Sequence, residues 1–180
     1  MSLFRIVRAT TFLTLLLMGV APVGRATTVY QEPEDFIREV FGSPAVRSGR
    51  LWIDKDLQPE VRRILGHDLG VLRIRYWSLA GRTAWILEEI GKDQPITAGI
   101  VINDTKIEQI KVLIFRETRG WEIRYPFFTD QFSGASLEQN YDLSQHIDGI
   151  SGATLSVNTM VKLARLALLF HRHSQIRERK

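Results

Sequence analysis

The chain contains no cysteine. That excludes structural disulfides, a lipoprotein-type anchor, thiolate-bound iron–sulfur clusters and haem attached through C-x-x-C-H. Redox chemistry, if there is any, must use another kind of cofactor. Histidine is scarce as well: His67, His146, His171 and His173 are all there are. His171 and His173 are two apart and point to different sides of a helix, and further ligands are lacking, so no metal site is expected. There is no G-x-S-x-G, no P-loop and no G-x-G-x-x-G, and Asp54-Lys55-Asp56 reads as a turn cluster, so no catalytic set is expected. Nor is there an excess of one charge outside the first 26 residues. The formal charge of +4 comes mostly from Arg5, Arg8 and Arg25, in a stretch without an acid. The pI of 9.6 is therefore poor grounds for nucleic-acid binding, and no nucleic-acid partner is expected.

Long hydrophobic runs are missing too. The apolar stretch at residues 10–20 is shorter than the ~20 residues a comfortable membrane span requires. Preceded by Arg5 and Arg8 and followed by Gly24-Arg25-Ala26, it reads as a secretory signal covering residues 1–26, cleaved after Ala26. An uncleaved membrane anchor is the alternative reading. Either way the expected location is the periplasm. The apolar stretch near the carboxyl end is broken by Lys162 and Arg165 and does not read as a span.

The rest reads as one α+β domain of sufficient size for a core. Two short helices are expected first, at residues 33–42 and 58–65; Pro33 suits a first turn and Gly42 and Gly66 suit stops. Then the period changes to two. Residues 71–77, 83–90, the run opened by Pro95, and 106–115 predict a four-strand antiparallel meander, with turns at Ala80-Gly81 and Asn103-Asp104. Residues 120–125 read as a short extended segment, 126–132 as a helical turn holding core residues Phe127, Phe128 and Phe132, and 134–147 as a loop. A long apolar helix starts near Thr154 and runs to about His173, with Asn158, Lys162, Arg165 and Arg172 as a polar stripe. The expected architecture is a twisted antiparallel sheet with helices packed on it. The segments are a helical part and first hairpin at 27–90 and a core at 91–175, together one compact unit.

Just before the last helix stands Asp148-Gly149-Ile150-Ser151-Gly152-Ala153-Thr154. Gly152 and Ala153 are small enough for a ligand to approach the backbone, and a helix N-terminus offers unpaired N–H groups and partial positive charge to a phosphate. Ser and Thr are also ordinary helix caps. The residues by themselves fit either a phosphate site at Ser151–Thr154 or a plain cap.

This run resembles the D-x-x-(S/T)-G-A-T signature of the FMN-binding domain family, with every fixed position filled. Leu155-Ser156 is similar to the usual continuation. Residues 91–115 resemble the family's core hairpin, with Asp104-Thr105-Lys106 where its turn reads D-G-K. The similarity covers residues 91–170. Such domains occur in the C subunit of the sodium-translocating NADH:quinone reductase, in the G subunit of the Rnf complex and as free-standing periplasmic flavoproteins. The resemblance implies that Thr154 carries FMN through a phosphoester bond, transferred from FAD by a Mg²⁺-dependent FAD:protein FMN transferase. It implies that this enzyme recognises Asp148, Gly152 and Ala153, and that Ser151 and Gly152 contact the phosphate. Rnf-type members carry a T-P-G-L-G loop before the signature. Here Glu117-Thr118-Arg119-Gly120-Trp121-Glu122 is closer to the E-S-R-G-G-E variant of free-standing members. Arg119 and Trp121 are then candidate flavin contacts, against the plainer readings of a surface arginine and a rim tryptophan. His146 reads as a solvated loop residue. The implied function is periplasmic electron transfer between membrane or periplasmic redox partners, as a carrier or subunit more than as an autonomous enzyme. The alternatives are the electron-input subunit of a periplasmic flavin-dependent reductase and a non-redox exported binding or assembly module.

Overall fold

The computed structural model describes residues 27–178; the expected signal at residues 1–26 lies outside them. The strands β1 (Thr28–Val29), β2 (Arg47–Trp52), β3 (Arg73–Leu79), β4 (Arg82–Ile90), β5 (Pro95–Asn103) and β6 (Lys106–Phe115) form one antiparallel sheet in the order β1-β6-β5-β4-β3-β2. The four expected strands are there, and the sheet gains one more at each edge. β1 is two residues long. β2 reads Arg-Ser-Gly-Arg-Leu-Trp, and only Leu51 in it is buried, because an edge strand has little to hide and charge there discourages further pairing. β3 starts two residues later than expected, and Leu72, just before it, is 77% exposed.

Helix α1 (Pro33–Phe41) covers one face of the sheet, while α2 (Gln58–Leu65) and the long α4 (Thr154–Glu178) cover the other. On the α1 face Phe36 and Ile37 pack on Ala84, Val101 and Leu113. Gly99 permits this: a Cβ there would sit 2.5 Å from the Phe36 ring. The larger core lies under α4, where Trp85, Leu87, Ile96, Ala98, Ile100 and Ile102 meet Met160, Leu163, Ala167 and Phe170. The alternation along β4 sends Trp85 and Leu87 to α4 and Ala84 to α1, while β5, central in the sheet, is buried on both faces.

The polar stripe of α4 binds other elements to it. Lys162 Nζ is 3.6 Å from the buried Glu89 of β4, and Arg165 pairs with Asp142 at 2.5 Å. Glu60 of α2 accepts from Arg172 and His173 at 2.8 Å each and from the Tyr141 hydroxyl at 2.9 Å. These bonds hold α2 and the 134–147 loop over the helix, which is why α4 is apolar on nearly every side. α4 also runs beyond the expected end, to Glu178.

A buried polar chain joins the sheet to α4. Trp85 Nε1–H donates to Thr83 Oγ1 at 2.9 Å, and Thr83 Oγ1 lies 2.7 Å from His171 Nδ1. His171 Nε2 reaches the Asp104 carbonyl. A carbonyl only accepts, so Nε2 carries the hydrogen, and in the neutral ring Nδ1 takes the Thr83 hydroxyl proton. Thr83→Val keeps the shape but removes the hydroxyl that joins the indole N–H to the imidazole. Chemical denaturation should show a loss of ~1–3 kcal/mol with the m-value unchanged; a variant as stable as the wild type would contradict this wiring.

Candidate functional site

The signature is a turn feeding α4. Ala153 N–H donates to the Ile150 carbonyl at 3.0 Å, closing a turn across Ser151 and Gly152, and Gly152 has φ 81°, where a Cβ is strained. Space is open around it: a Cβ at Gly152 or Gly149 would meet nothing within 4 Å. Asp148 is exposed, donates its N–H to Gln131 Oε1 at 2.7 Å and lies 3.7 Å from His146, itself exposed.

Ala153 begins the helix. It is buried, and its carbonyl accepts the Val157 N–H at 2.9 Å, so Thr154 occupies the first helical position. Neither Ser151 nor Thr154 acts as a cap, because no side chain accepts from the amides of Thr154, Leu155 or Ser156 among the described residues. An alanine at this position offers no acceptor, and the first turn holds no acid. The positive end of a 25-residue helix is left open, and the exposed Thr154 hydroxyl, itself without a hydrogen bond among the described residues, stands at its edge.

A second loop, residues 116–120, packs on this turn. Gly120 has φ 85°, and a Cβ on it would fall 2.3 Å from Ser156 Oγ and 3.5 Å from the Ala153 Cβ. Only glycine satisfies both the conformation and the contact. The loop is held by Glu117, whose Oε1 accepts the backbone N–H groups of Lys92, Asp93 and Gln94 at 2.7, 2.6 and 2.8 Å. Burial pushes the Glu117 carboxyl upward, but the three amide donors and the Lys92 charge outweigh it and hold it below the usual glutamate range. Arg116 fastens the same corner through the Pro95 carbonyl at 3.0 Å and Glu88 at 3.3 Å. Thr159 of α4 donates to the Ile90 carbonyl at 2.9 Å. The end of β4, the 91–94 turn, the 116–120 loop and the start of α4 thus form one rigid corner.

Trp121 and Thr154 each follow one member of the Gly120–Ala153 contact, which puts their backbones in one neighbourhood. Trp121 is 41% exposed and opens a single-turn 3₁₀-helix (Trp121–Arg124) in place of the expected extended segment, because Gly120 in the left-handed region reverses the chain. Its ring meets Tyr125 edge-on at 5.7 Å. Arg119 is exposed and makes no hydrogen bond or ion pair among the described residues. Phe128 and Phe132 are fully buried and meet edge-on at 5.4 Å, whereas Phe127, expected beside them in the core, is 61% exposed. Sequence reasoning missed Glu117 as a clamp and overlooked Arg124 and Tyr125. An acid three residues before a glycine, with a Lys-Asp turn upstream, is too weak a signal for a bond spanning about 25 positions.

Residues 91–169 match the model of the FMN-binding domain. This segment belongs to the FMN-binding domain family. No curated protein matches the chain. The family segment begins at Gly91, beside the Glu117 carboxylate, and ends within α4, so it contains the 91–94 turn, the 116–120 loop and the start of α4. The residues present fit FMN. A helix start that is uncapped among the described residues, with open space and no acid in its first turn, suits its phosphate, and the exposed Arg119 and Trp121 flank Gly120.

The Glu117 clamp has a pH signature. A carboxyl lowered by folding stabilises the protein above its unfolded-state pKa, and that contribution is lost as pH falls through the folded-state value. Glu117→Gln should therefore cost about 1 kcal/mol at neutral pH, allowing for partial exposure, and the gap between variant and wild type should close below the usual glutamate range. Parallel denaturation series over pH measure it; a gap that persists in acid would contradict the charged clamp.

Proposed function

We propose that the protein is an exported electron-transfer flavoprotein carrying FMN in a phosphoester bond to Thr154. The observation that supports this most strongly is the start of α4: an FMN-binding domain in which the first-turn amides are uncapped and a threonine hydroxyl stands free beside them. In the attachment step the Thr154 oxygen bonds to the flavin-side phosphorus of FAD. The pyrophosphate linkage breaks, AMP leaves, and the hydroxyl proton passes to a base of a Mg²⁺-dependent FAD:protein FMN transferase. Asp148, exposed at the head of the turn, is a recognition point for that enzyme. Gly152 and Ala153 keep side-chain bulk away from the phosphate, Ser151 offers a hydroxyl, and Arg119 offers a cation able to swing onto it. Trp121 supplies a flat apolar surface for the ring.

Bound flavin supplies one- and two-electron transfer. The chain's own residues hold it at an open rim, where a partner can approach without entering a cavity. A covalent link suits a carrier outside the cytoplasm, where lost cofactor is not readily replaced. Residues 1–26, with two arginines before a short apolar run, support export to the periplasm. A haem protein, a quinone-linked membrane flavoprotein or another flavoprotein would serve as redox partner.

The test is exported protein made with the transferase present and run on a denaturing gel. Wild type should fluoresce as flavin, and Thr154→Ala should lose the signal completely while folding normally. Thr154→Ser, which keeps the hydroxyl, should retain part of it. Fluorescence in the alanine variant would move the attachment elsewhere, and none in the wild type would end the covalent reading.

A further inference from the structure

Arg124 is the charge of this site that three aromatic rings surround. Its guanidinium carbon lies 4.6 Å from the ring centre of Tyr30, 5.4 Å from that of Trp121 and 4.7 Å from that of Tyr125. Nη2 donates to the Tyr125 hydroxyl at 3.0 Å, and Nε is buried without an acceptor. Arg82, Arg116, Arg165 and Arg172 each have a carboxylate partner. Among the described residues Arg124 has none, and Glu122 in the same turn does not pair with it. The hydrogen bond to Tyr125, together with Tyr30 beside it, favours its protonated form against the opposing effect of burial.

Two consequences follow from elementary physics. Ring faces attract a cation without cancelling its charge, as a carboxylate would, so the field of Arg124 reaches past Trp121. The same contacts restrain the Trp121 ring, which has Tyr125 on its edge and Arg124 over its face. Tyr30, whose N–H bonds the Leu113 carbonyl at 2.8 Å, anchors this stack to the sheet.

We propose that Arg124 is a positioning residue that sets the potential of the flavin site: it fixes the Trp121 ring, and its uncompensated charge favours the reduced flavin. The proposal rests on the reading that FMN is attached at Thr154. Reduction by a two-electron donor with uptake of one proton leaves the ring with one added negative charge, which a nearby fixed cation stabilises. Losing that cation therefore makes reduction harder.

The experiment is a midpoint-potential titration with dithionite of flavin-loaded wild type, Arg124→Met, Arg124→Gln and Arg124→Lys, with flavin content and circular dichroism measured on each. Methionine keeps bulk without charge, glutamine keeps a donor for Tyr125 without charge, and lysine keeps charge without the planar fork. In the two neutral variants the reduced-to-oxidised ratio at a fixed potential should fall about tenfold, equivalent to ~30 mV for a two-electron couple. Lysine should restore most of that shift. The proposal is overturned if a folded, fully loaded neutral variant keeps the wild-type potential, or if lysine falls as far as methionine. Wild-type protein that carries no flavin would instead remove the underlying FMN reading, and would be recognised because the defect is present before any substitution.

Discussion

One glycine pressed against a helix start is the contact on which the site depends. Gly120 lies so close to Ser156 and Ala153 that no side chain fits between them, and its left-handed backbone turns the chain at once into the Trp121–Arg124 turn. This contact brings an exposed tryptophan and an exposed threonine into one neighbourhood though 33 positions separate them in sequence. The Glu117 carboxylate makes the contact durable. By collecting three backbone amides of the 91–94 turn, it ties the loop to the same corner of the sheet that Thr159 ties to α4. A site built from exposed residues such as Trp121 and Thr154 needs such bracing.

The electrostatic arrangement divides by role. Arg82 and Arg116 pair with carboxylates of the sheet, and Arg165 and Arg172 of α4 pair with Asp142 and Glu60, which holds the 134–147 loop and α2 in place. At the proposed flavin site the pattern reverses. The helix start has no acid, Arg119 has no partner among the described residues, and Arg124 is surrounded by rings in place of carboxylates. Two cations without a carboxylate partner among the described residues thus stand at the place proposed for an anionic cofactor. The buried histidine of α4 serves the fold: its two nitrogens link β4 to the β5–β6 turn.

The strands β3 to β6 were legible because a strand that hides one face carries a period of two, and β5, hidden on both faces, reads as a short apolar run opened by Pro95. β2 was not, since Arg47, Ser48 and Arg50 answer to an exposed edge and Leu51 alone answers to the core. The stretch after Gly120 reads as alternating, yet folds as a single helical turn with only Ile123 buried, because a glycine with positive φ outweighs four residues of pattern. Phe127 looks no different in sequence from Phe128 and Phe132; its exposure is decided by the direction of one short turn, α3 (Pro126–Thr129). The signature was legible through its resemblance to a family. Its partners were not, since Glu117 reaches back across a whole hairpin and Arg124 is defined by rings from distant segments.

The central claim is a single bond between the Thr154 oxygen and the phosphate of FMN. Tandem mass spectrometry of proteolytic peptides from protein matured with the transferase tests it most directly. The peptide spanning the Ser151–Thr154 turn should carry the mass of FMN less one water, with fragment ions assigning it to Thr154. The same peptide unmodified throughout, or the added mass on any other residue, would contradict it.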